Sequence, residues 1–334
     1  MSKYKAFVVE EIETNIYKRS IQEKEIKPLN NNFVLIEVHY SSLNYKDALS
    51  AKGHKGITRN YPHTPGIDAS GIIADSKSNN FKIGDKVLVT GYDLGMNTDG
   101  GFAEYISVPD EWVVPLPKNL SLKEAMILGT AGFTAGLCIN QFYKHDIRPE
   151  MGKILVTGST GGVGCLSLAI LSKLGYNVVA SSGKYDQNNF LHNLGAKEII
   201  SREDVRNDSP KPLLQKKWIA AIDNIGGTTL STIIKSLEHH GIVCLVGLVE
   251  SDMLITTVYP FILRGVKLIG IDSAEQKMDL RKKIWYELST FWKPENLNNI
   301  YREISLYELD LEINKILLGG QVGRILINLK KYHS

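Results

Sequence analysis

A glycine-rich run between two apolar segments has the residue types that bind phosphate. The run Val156–Gly164 follows a β-type segment, Lys153–Val156, and precedes a helical segment that starts at Leu166. Glycines let the backbone turn tightly and approach an anion, and the helix N-terminus offers N–H groups and the positive end of its dipole. The run therefore predicts a phosphate cradle, although it reads S-x-G-x-x-G and lacks one glycine of the usual fingerprint.

The end of the next predicted strand indicates which dinucleotide this cradle would hold. The strand Asn177–Ser182 is followed by Gly183 and Lys184. Sites that prefer NAD usually end this strand with Asp or Glu, whose carboxylate binds the ribose 2′-hydroxyl. A hydroxyl, an open backbone and a cation suit a 2′-phosphate better, so the segment predicts NADPH as the cofactor. The alternatives are that Lys184 is only a solvated lysine and that the glycine turn binds no ligand.

A second group of reactive side chains follows an N-terminal strand. The segment Ser41–Asp47 places the amide of Asn44, the phenol of Tyr45, the amine of Lys46 and the carboxylate of Asp47 at a strand-to-helix corner. A tyrosine there could donate a hydrogen bond or a proton to a substrate. The structural alternative is that Tyr45 packs and Asp47 caps a helix.

His63 and Asp68 are the residues that could suggest a metal site. They lie in a segment rich in proline and glycine, Pro62–Gly71, with no cysteine or second histidine at ligand spacing. Catalytic zinc needs three protein ligands. We therefore expect structural roles for both residues and no metal ion.

Composition limits the function classes. The chain has 334 residues, of which 43% are hydrophobic and 22% charged, with a net charge of +3, which suggests two globular domains. The lysines are scattered, so nucleic-acid binding is not expected. The N-terminus runs straight into a strand pattern and the longest apolar stretch falls short of the ~20 residues that span a bilayer, so we expect a cytoplasmic protein without membrane contact. Core positions are expected for the cysteines Cys138, Cys165 and Cys244.

Strand and helix patterns divide the chain into two kinds of structure. Up to about residue 122, short strands split by turns predict an irregular barrel-like domain. From there to about residue 264, strands alternate with helices, which predicts an α/β fold with a doubly wound parallel sheet. The remainder reads as a strand, a charged helix and a hairpin-like pair near residues 303–305 and 324–329 that rejoins the first domain.

Taken together, these motifs resemble the medium-chain dehydrogenase/reductase superfamily. Besides the glycine turn, the superfamily's motifs occur in their usual order at Pro65–Gly71, Gly84–Val87 and Gly100–Tyr105. Within the superfamily the chain is similar to the zinc-free, quinone-oxidoreductase-like branch that reduces acrylyl-CoA with NADPH. The segments specific to this branch are Ser41–Leu49, Gly129–Ala135, Pro260–Arg264 and Gly270–Ser273.

The resemblance implies a fold and an assembly. It implies a Rossmann-type doubly wound parallel sheet over residues 126–264, a GroES-like irregular β-barrel domain over residues 1–125 and 265–334, and a homodimer. Zinc-binding members carry Cys near Asn44 and His near Ile67, and this chain has neither. It departs from the family where Lys184 replaces a common arginine and where Gly319-Gly320 replaces a polar residue.

The resemblance also implies an activity: NADPH-dependent reduction of the C=C bond of a 2-enoyl thioester, with acrylyl-CoA as the expected substrate and Tyr45 as the expected donor. Reduction of quinones or 2-alkenals is the first alternative, and a non-enzymatic, NADPH-binding regulatory protein is the second. Arg202 is expected to serve the 2′-phosphate rather than the chemistry. The residues that the resemblance places on the cofactor are Tyr45, Thr160, Gly161, Gly162, Val163, Ser182, Gly183, Lys184, Arg202, Leu248, Ile262 and Ser273.

Overall fold

Two compact units make up the chain in the computed structural model, which describes residues 3–331. The first unit comprises the described chain up to Thr130, Ser273–Ser289 and the described chain from Leu297 on. The second comprises Ala131–Asp272 and Thr290–Asn296. The domain bounds expected from the sequence, 1–125 with 265–334 and 126–264, stay a prediction.

Strands and helices alternate in the second unit and strands dominate the first. The strands are β1 Lys3–Glu13, β2 Ile16–Glu25, β3 Phe33–Leu43, β4 Asp68–Ser76, β5 Lys86–Thr90, β6 Tyr105–Pro109, β7 Val114–Pro115, β8 Lys153–Thr157, β9 Asn177–Ser182, β10 Glu198–Ser201, β11 Trp218–Asp223, β12 Leu237–Leu245, β13 Lys267–Gly270, β14 Tyr301–Ser305 and β15 Arg324–Asn328. The α-helices are α1 Tyr45–Ala51, α2 Leu122–Lys144, α3 Gly162–Lys173, α4 Asn188–Asn193, α5 Arg202–Val205, α6 Gly227–Ser236, α7 Tyr259–Arg264, α8 Met278–Ser289 and α9 Leu309–Leu317.

The first unit contains a mixed sheet and a separate hairpin. The sheet has the order β14-β15-β3-β4-β5-β7, with β6 also paired to β3, and β1 pairs with β2. Val34, Ile36 and Val38 of β3 are buried in the core of this unit, the period-two pattern of a strand with one face on a core. This arrangement confirms the expected GroES-like domain.

The last two strands correct one expectation. β14 and β15 pair in parallel and are not a hairpin. Parallel neighbours need a crossover connection, and α9, which the sequence interpretation missed, lies between them in the chain.

A six-stranded sheet forms the second unit. Its order is β10-β9-β8-β11-β12-β13, and the neighbouring strands pair in parallel. Counted along the chain from β8, this is the order 3-2-1-4-5-6 of dinucleotide-binding folds. The doubly wound Rossmann-type sheet expected from the sequence is therefore confirmed.

Helix α2 is long and apolar, but it is kinked at Gly129. By length and composition it could cross a membrane, yet 78% of its most apolar window is buried inside the structure, as in a core helix. Gly129 has φ 52 and ψ −156, which interrupts the helix.

We expect Gly129→Ala to lower the free energy of unfolding by about 3 kcal/mol, because the backbone conformation suits glycine almost alone and the site is filled. An added Cβ would lie 2.5 Å from Asp68 Oδ2 and 2.6 Å from Ser42 Oγ. Chemical denaturation measures the loss. Gly175→Ala is the matched control: its φ is +84 but nothing lies within 4 Å of an added Cβ, so it should lose only about 1 kcal/mol. Equal losses of unfolding free energy in Gly129→Ala and Gly175→Ala would contradict the prediction that the filled site at Gly129 adds to the destabilisation.

Candidate active site

The glycine turn joins β8 to α3 and is closed by short backbone contacts. Gly158 has φ +57, and its carbonyl oxygen accepts a hydrogen bond from the Gly161 N–H at 2.9 Å. A Cβ on Gly164 would lie 2.3 Å from the same carbonyl oxygen. The helix therefore packs against the turn at a distance that only glycine permits.

The N-terminus of α3 presents backbone N–H groups. Its N-cap residue is Gly161, which supplies no side-chain cap. The first N–H groups of a helix have no intrahelical acceptor and carry the positive end of the helix dipole. Gly162 and Val163, the first two residues of the helix, are half-buried and not covered completely. An anion such as a phosphate fits this position.

A pocket of the second unit lies at the carboxyl ends of the neighbouring strands β8 and β9. The predicted residues that line it are Thr160, Ser182, Gly183, Lys184 and Arg202; the other lining residues are Thr157, Gly158, Ser181, Ile225 and Thr229. Two residues with cationic side chains and two hydroxyl-bearing residues named from the sequence therefore line the same pocket.

The cationic side of this pocket has a defined local geometry. The Lys184 N–H donates to Ser182 Oγ at 3.0 Å, which turns the chain at the end of β9. The Arg202 guanidinium packs against Gly183, with Nη2 3.5 Å from the position of an added Cβ. Arg202 therefore lies against the segment that carries Lys184.

A buried carboxylate ties the two central strands together beside the pocket. Asp223, the last residue of β11, accepts hydrogen bonds from Thr157 Oγ1 at 2.7 Å and from the Gly226 N–H at 2.8 Å. Thr157 Oγ1 in turn accepts from the Asn224 N–H at 2.9 Å. Burial raises the pKa of Asp223 to about 6. Sequence reasoning did not single out Asp223, although ligands of such sheets bind at the carboxyl ends of the strands.

In the first unit, Tyr45 begins α1 and its side chain is 50% exposed. The capping role that was an alternative for Asp47 is confirmed. Its carboxylate accepts hydrogen bonds from the N–H groups of Asn44 at 2.8 Å, Gly66 at 3.2 Å and Ile67 at 2.8 Å. Burial raises the pKa of Asp47 to about 7. Asp47 thereby fixes the start of the helix on which Tyr45 stands.

A buried acid lies at the same corner. Asp68 is fully buried and accepts hydrogen bonds from Ser42 Oγ at 2.6 Å, Asn44 Nδ2 at 2.8 Å and the Thr130 N–H at 3.0 Å. The last of these donors belongs to the residue that directly follows the kink at Gly129. Asp68 therefore has the structural role expected from the sequence.

Arg324 is the cation that sequence reasoning missed. Its Nη2 lies 3.7 Å from Asp68 Oδ2, and both side chains are buried. The guanidinium also donates to the carbonyl oxygens of Ile127 at 3.1 Å and Leu43 at 3.2 Å. No linear pattern links positions this far apart, so the sequence carried no signal for the pair.

Comparison with known proteins identifies the family. The model described as "Alcohol dehydrogenase GroES-like domain" matches residues 30–118, and the one described as "Zinc-binding dehydrogenase" matches residues 162–289. The chain is 46% identical to "Putative quinone oxidoreductase YhfP" of Bacillus subtilis, over 89% of this chain and 90% of that protein. It is 39% identical to "Probable acrylyl-CoA reductase AcuI" of Escherichia coli, over 93% of this chain and 95% of that protein.

Solved structures give the same result. The yhdH oxidoreductase from Salmonella enterica, in complex with NADP, aligns with a TM-score of 0.94 at 38% identity, covering 98% of this chain and 100% of that one. The Bacillus subtilis protein yhfP, with NAD bound, aligns with a TM-score of 0.95 at 42% identity, with the same coverage. The chain belongs to the medium-chain dehydrogenase/reductase superfamily. It falls in the quinone-oxidoreductase-like branch of that superfamily, as expected.

Four further residues expected to contact the cofactor of this dehydrogenase/reductase lie outside the pocket lining. Leu248 and Ile262 belong to the second unit, where their side chains are 64% and 69% exposed. Tyr45 and Ser273 belong to the first unit. The Ser273 carbonyl oxygen accepts a hydrogen bond from Arg281 Nη2 at 3.2 Å. The cofactor contacts of these residues stay predictions.

Side chains that bind metals are dispersed in this dehydrogenase/reductase. Within residues 3–331, no three His, Cys, Asp or Glu side chains form a group that could hold a metal ion. His63 is buried, which lowers its pKa, and its Nδ1 lies 3.9 Å from Asp99 Oδ1. The core positions expected for the cysteines are confirmed for Cys138, Cys165 and Cys244.

The raised pKa of Asp223 predicts a pH dependence of stability. The pKa of Asp223 is about 6 in the folded state against an ordinary pKa of 3.8, so the folded state binds this proton more tightly than the unfolded state does. The difference stabilises the fold at low pH. That contribution is lost as the pH rises from about 4 to about 6. Denaturation of wild type and Asp223→Asn across this range should show wild type losing roughly 3 kcal/mol relative to the variant. Parallel pH profiles would contradict the shift.

Proposed function

We propose that this protein is an NADPH-dependent oxidoreductase. The observation that carries the proposal is the convergence of Lys184 and Arg202 on a pocket beside the N-terminus of α3. Among the described residues, those that line the pocket include no carboxylate. Two cations and a hydroxyl complement a 2′-phosphate, whereas binding a ribose 2′-hydroxyl usually requires an acid at the end of the second strand.

The residues present fit the whole phosphate end of the cofactor. The turn residues Thr160, Gly161, Gly162 and Val163 would surround the pyrophosphate, with N–H groups at the start of α3 as donors, because Gly164 lets α3 start close to the turn. Ser182, Gly183, Lys184 and Arg202 would bind the 2′-phosphate. The yhdH structure holds NADP, which supports this choice, while yhfP holds NAD, which makes NADH the competing cofactor.

The proposed reaction is reduction of the C=C bond of a 2-enoyl thioester, with acrylyl-CoA as substrate. Similarity to AcuI across nearly the whole chain supports this substrate class. When bound at this site, NADPH would supply the hydride that the β-carbon receives. The protein must then stabilise the negative charge that collects on the thioester oxygen and allow a proton to reach the α-carbon.

Tyr45 is our candidate donor for this charge. Its phenol stands on the first residue of α1, half exposed to solvent, and Asp47 fixes the backbone beneath it. A hydrogen-bond donor held in place needs no reorganisation as charge develops, which is the basis of electrostatic catalysis. Leu248, Ile262 and Ser273 are proposed to contact the nicotinamide end of the cofactor.

The proposed assembly is a cytoplasmic homodimer that binds neither nucleic acid nor membrane. Within the described chain β13 pairs only with β12 and is an edge of the six-stranded sheet. An edge strand offers unpaired backbone groups to a second copy.

A second candidate function is reduction of quinones or 2-alkenals with the same cofactor. The 46% identity to YhfP favours it, since that protein is named as a quinone oxidoreductase. The fold accommodates either substrate class.

We expect Arg202→Leu to raise the KM for NADPH about 30-fold and to leave the KM for NADH unchanged, because only the 2′-phosphate gains a charge-assisted hydrogen bond from the guanidinium. Steady-state kinetics with each cofactor measures the two values. Arg206→Leu is the matched control: Arg206 is an arginine four residues away that pairs with Asp208 and Glu250 and does not line the pocket. An equal rise of the KM for NADPH and the KM for NADH in Arg202→Leu would contradict the assignment of Arg202 to the 2′-phosphate.

We expect NADPH oxidation to be faster with acrylyl-CoA than with a simple quinone. We also expect Tyr45→Phe to lower kcat about 100-fold with little change in NADPH affinity. Stopped-flow absorbance and a separate cofactor titration measure these quantities. Tyr307→Phe is the control, since it removes another exposed phenol, one that accepts a hydrogen bond from Lys5. An undiminished rate would remove Tyr45 from the mechanism, and a faster quinone reaction would favour the second candidate.

A further inference from the structure

A hydrogen bond connects the two chain segments that carry the cations of the pocket. Tyr185 directly follows Lys184, Glu203 directly follows Arg202, and Tyr185 Oη donates to Glu203 Oε2 at 3.0 Å. We propose that this bond sets the spacing of Lys184 and Arg202 and makes Tyr185 and Glu203 determinants of selectivity for the 2′-phosphate. The inference rests on the proposed binding of NADPH.

The two segments emerge side by side from the sheet. β9 and β10 pair in parallel, with Ser182 opposite Ser201 at their carboxyl ends. The segments that follow them, 183–185 and 202–203, therefore leave the same edge of the sheet. Backbone pairing ends at this point in the register, and beyond it the Tyr185–Glu203 bond joins the two segments through their side chains.

The Glu203 side of the bond has a well-defined backbone. α5 begins at Arg202 and is closed by a capping box, in which Ser201 Oγ accepts from the Asp204 N–H and Asp204 Oδ2 accepts from the Ser201 N–H, both at 3.0 Å. Such a box satisfies two N–H groups at a helix start and fixes its direction. Glu203 therefore lies on a fixed stretch of backbone, and its carboxylate accepts the hydrogen bond from the phenol of Tyr185.

The Tyr185 side follows a tight turn after β9. The Lys184 N–H bonds to Ser182 Oγ, and Arg202 packs against Gly183 from the neighbouring segment. The Tyr185 side chain is 65% exposed, so few packing contacts hold it. Its hydroxyl bond to Glu203 is therefore a major constraint on how far the Lys184 segment lies from Arg202.

The carboxylate of Glu203 adds an opposing electrostatic effect. Its own backbone N–H and the Tyr185 hydroxyl both favour the ionised form and lower the pKa of Glu203. A negative charge next to Arg202 offsets part of the attraction that a 2′-phosphate experiences. Removing the bond and removing the charge should therefore change NADPH affinity in opposite directions.

We expect Tyr185→Phe to weaken NADPH binding about fivefold and to leave NADH binding unchanged, because the variant loses only the hydroxyl that fixes the spacing. Fluorescence titration of each cofactor, without substrate, measures both dissociation constants. The matched control is Tyr143→Phe, which changes an exposed tyrosine of the same unit whose ring stacks on Trp292; it should alter neither constant.

Glu203→Gln is the complementary variant. Glutamine keeps an oxygen that can accept from Tyr185 but removes the negative charge, so NADPH should bind about threefold more tightly while NADH binding is unchanged. An NADPH-to-NADH affinity ratio equal to that of wild type in both variants, or an equal weakening of both cofactors, overturns the inference.

The same titration separates this inference from the proposed function. If wild type shows no preference for NADPH over NADH, the proposed cofactor is wrong and the inference falls with it. If wild type prefers NADPH and the NADPH-to-NADH affinity ratio is unchanged in both variants, the cofactor assignment stands and only the inference is overturned.

Discussion

Two opposite charges buried together, Asp68 and Arg324, impose the constraint on which the first unit depends. Each would be costly to bury alone, and removing one partner of such a pair typically destabilises a protein by about 3–5 kcal/mol. Their hydrogen bonds draw in Ser42 and Asn44 at the end of β3, and Thr130 in the middle of α2. The pair and its hydrogen bonds therefore join segments that are distant in the chain.

The same physical rule shapes the second unit at a smaller scale. Asp223 is buried at the carboxyl end of β11, and its hydrogen bonds to Thr157 and Gly226 join the two central strands where the sheet order reverses. Thr157, one of these partners, also lines the pocket beside the glycine turn. In each unit, a buried and hydrogen-bonded carboxylate, Asp68 or Asp223, fixes the backbone near candidate site residues.

Much of the candidate site was predictable because its signal is local. Strand, glycine turn and helix follow one another within about a dozen residues, so the run Val156–Gly164 could be identified as a phosphate cradle without knowledge of the fold. Ser182, Lys184 and Arg202 were placed by resemblance and by their positions after neighbouring strands, and the structure brings them to one pocket. Arg324 was missed because its partner lies in another segment of the chain.

The amino-acid sequence was sufficient to predict the fold class, the alternation of strands and helices along the chain and the glycine turn. These features could be predicted because hydrophobic period and turn chemistry act between near neighbours. The sequence did not predict the parallel pairing of β14 with β15, the Asp68–Arg324 pair or the bond between Tyr185 and Glu203. Those depend on which distant segments meet once the core is buried. Burial of charge and strand register are properties of the folded chain, and no local pattern encodes them.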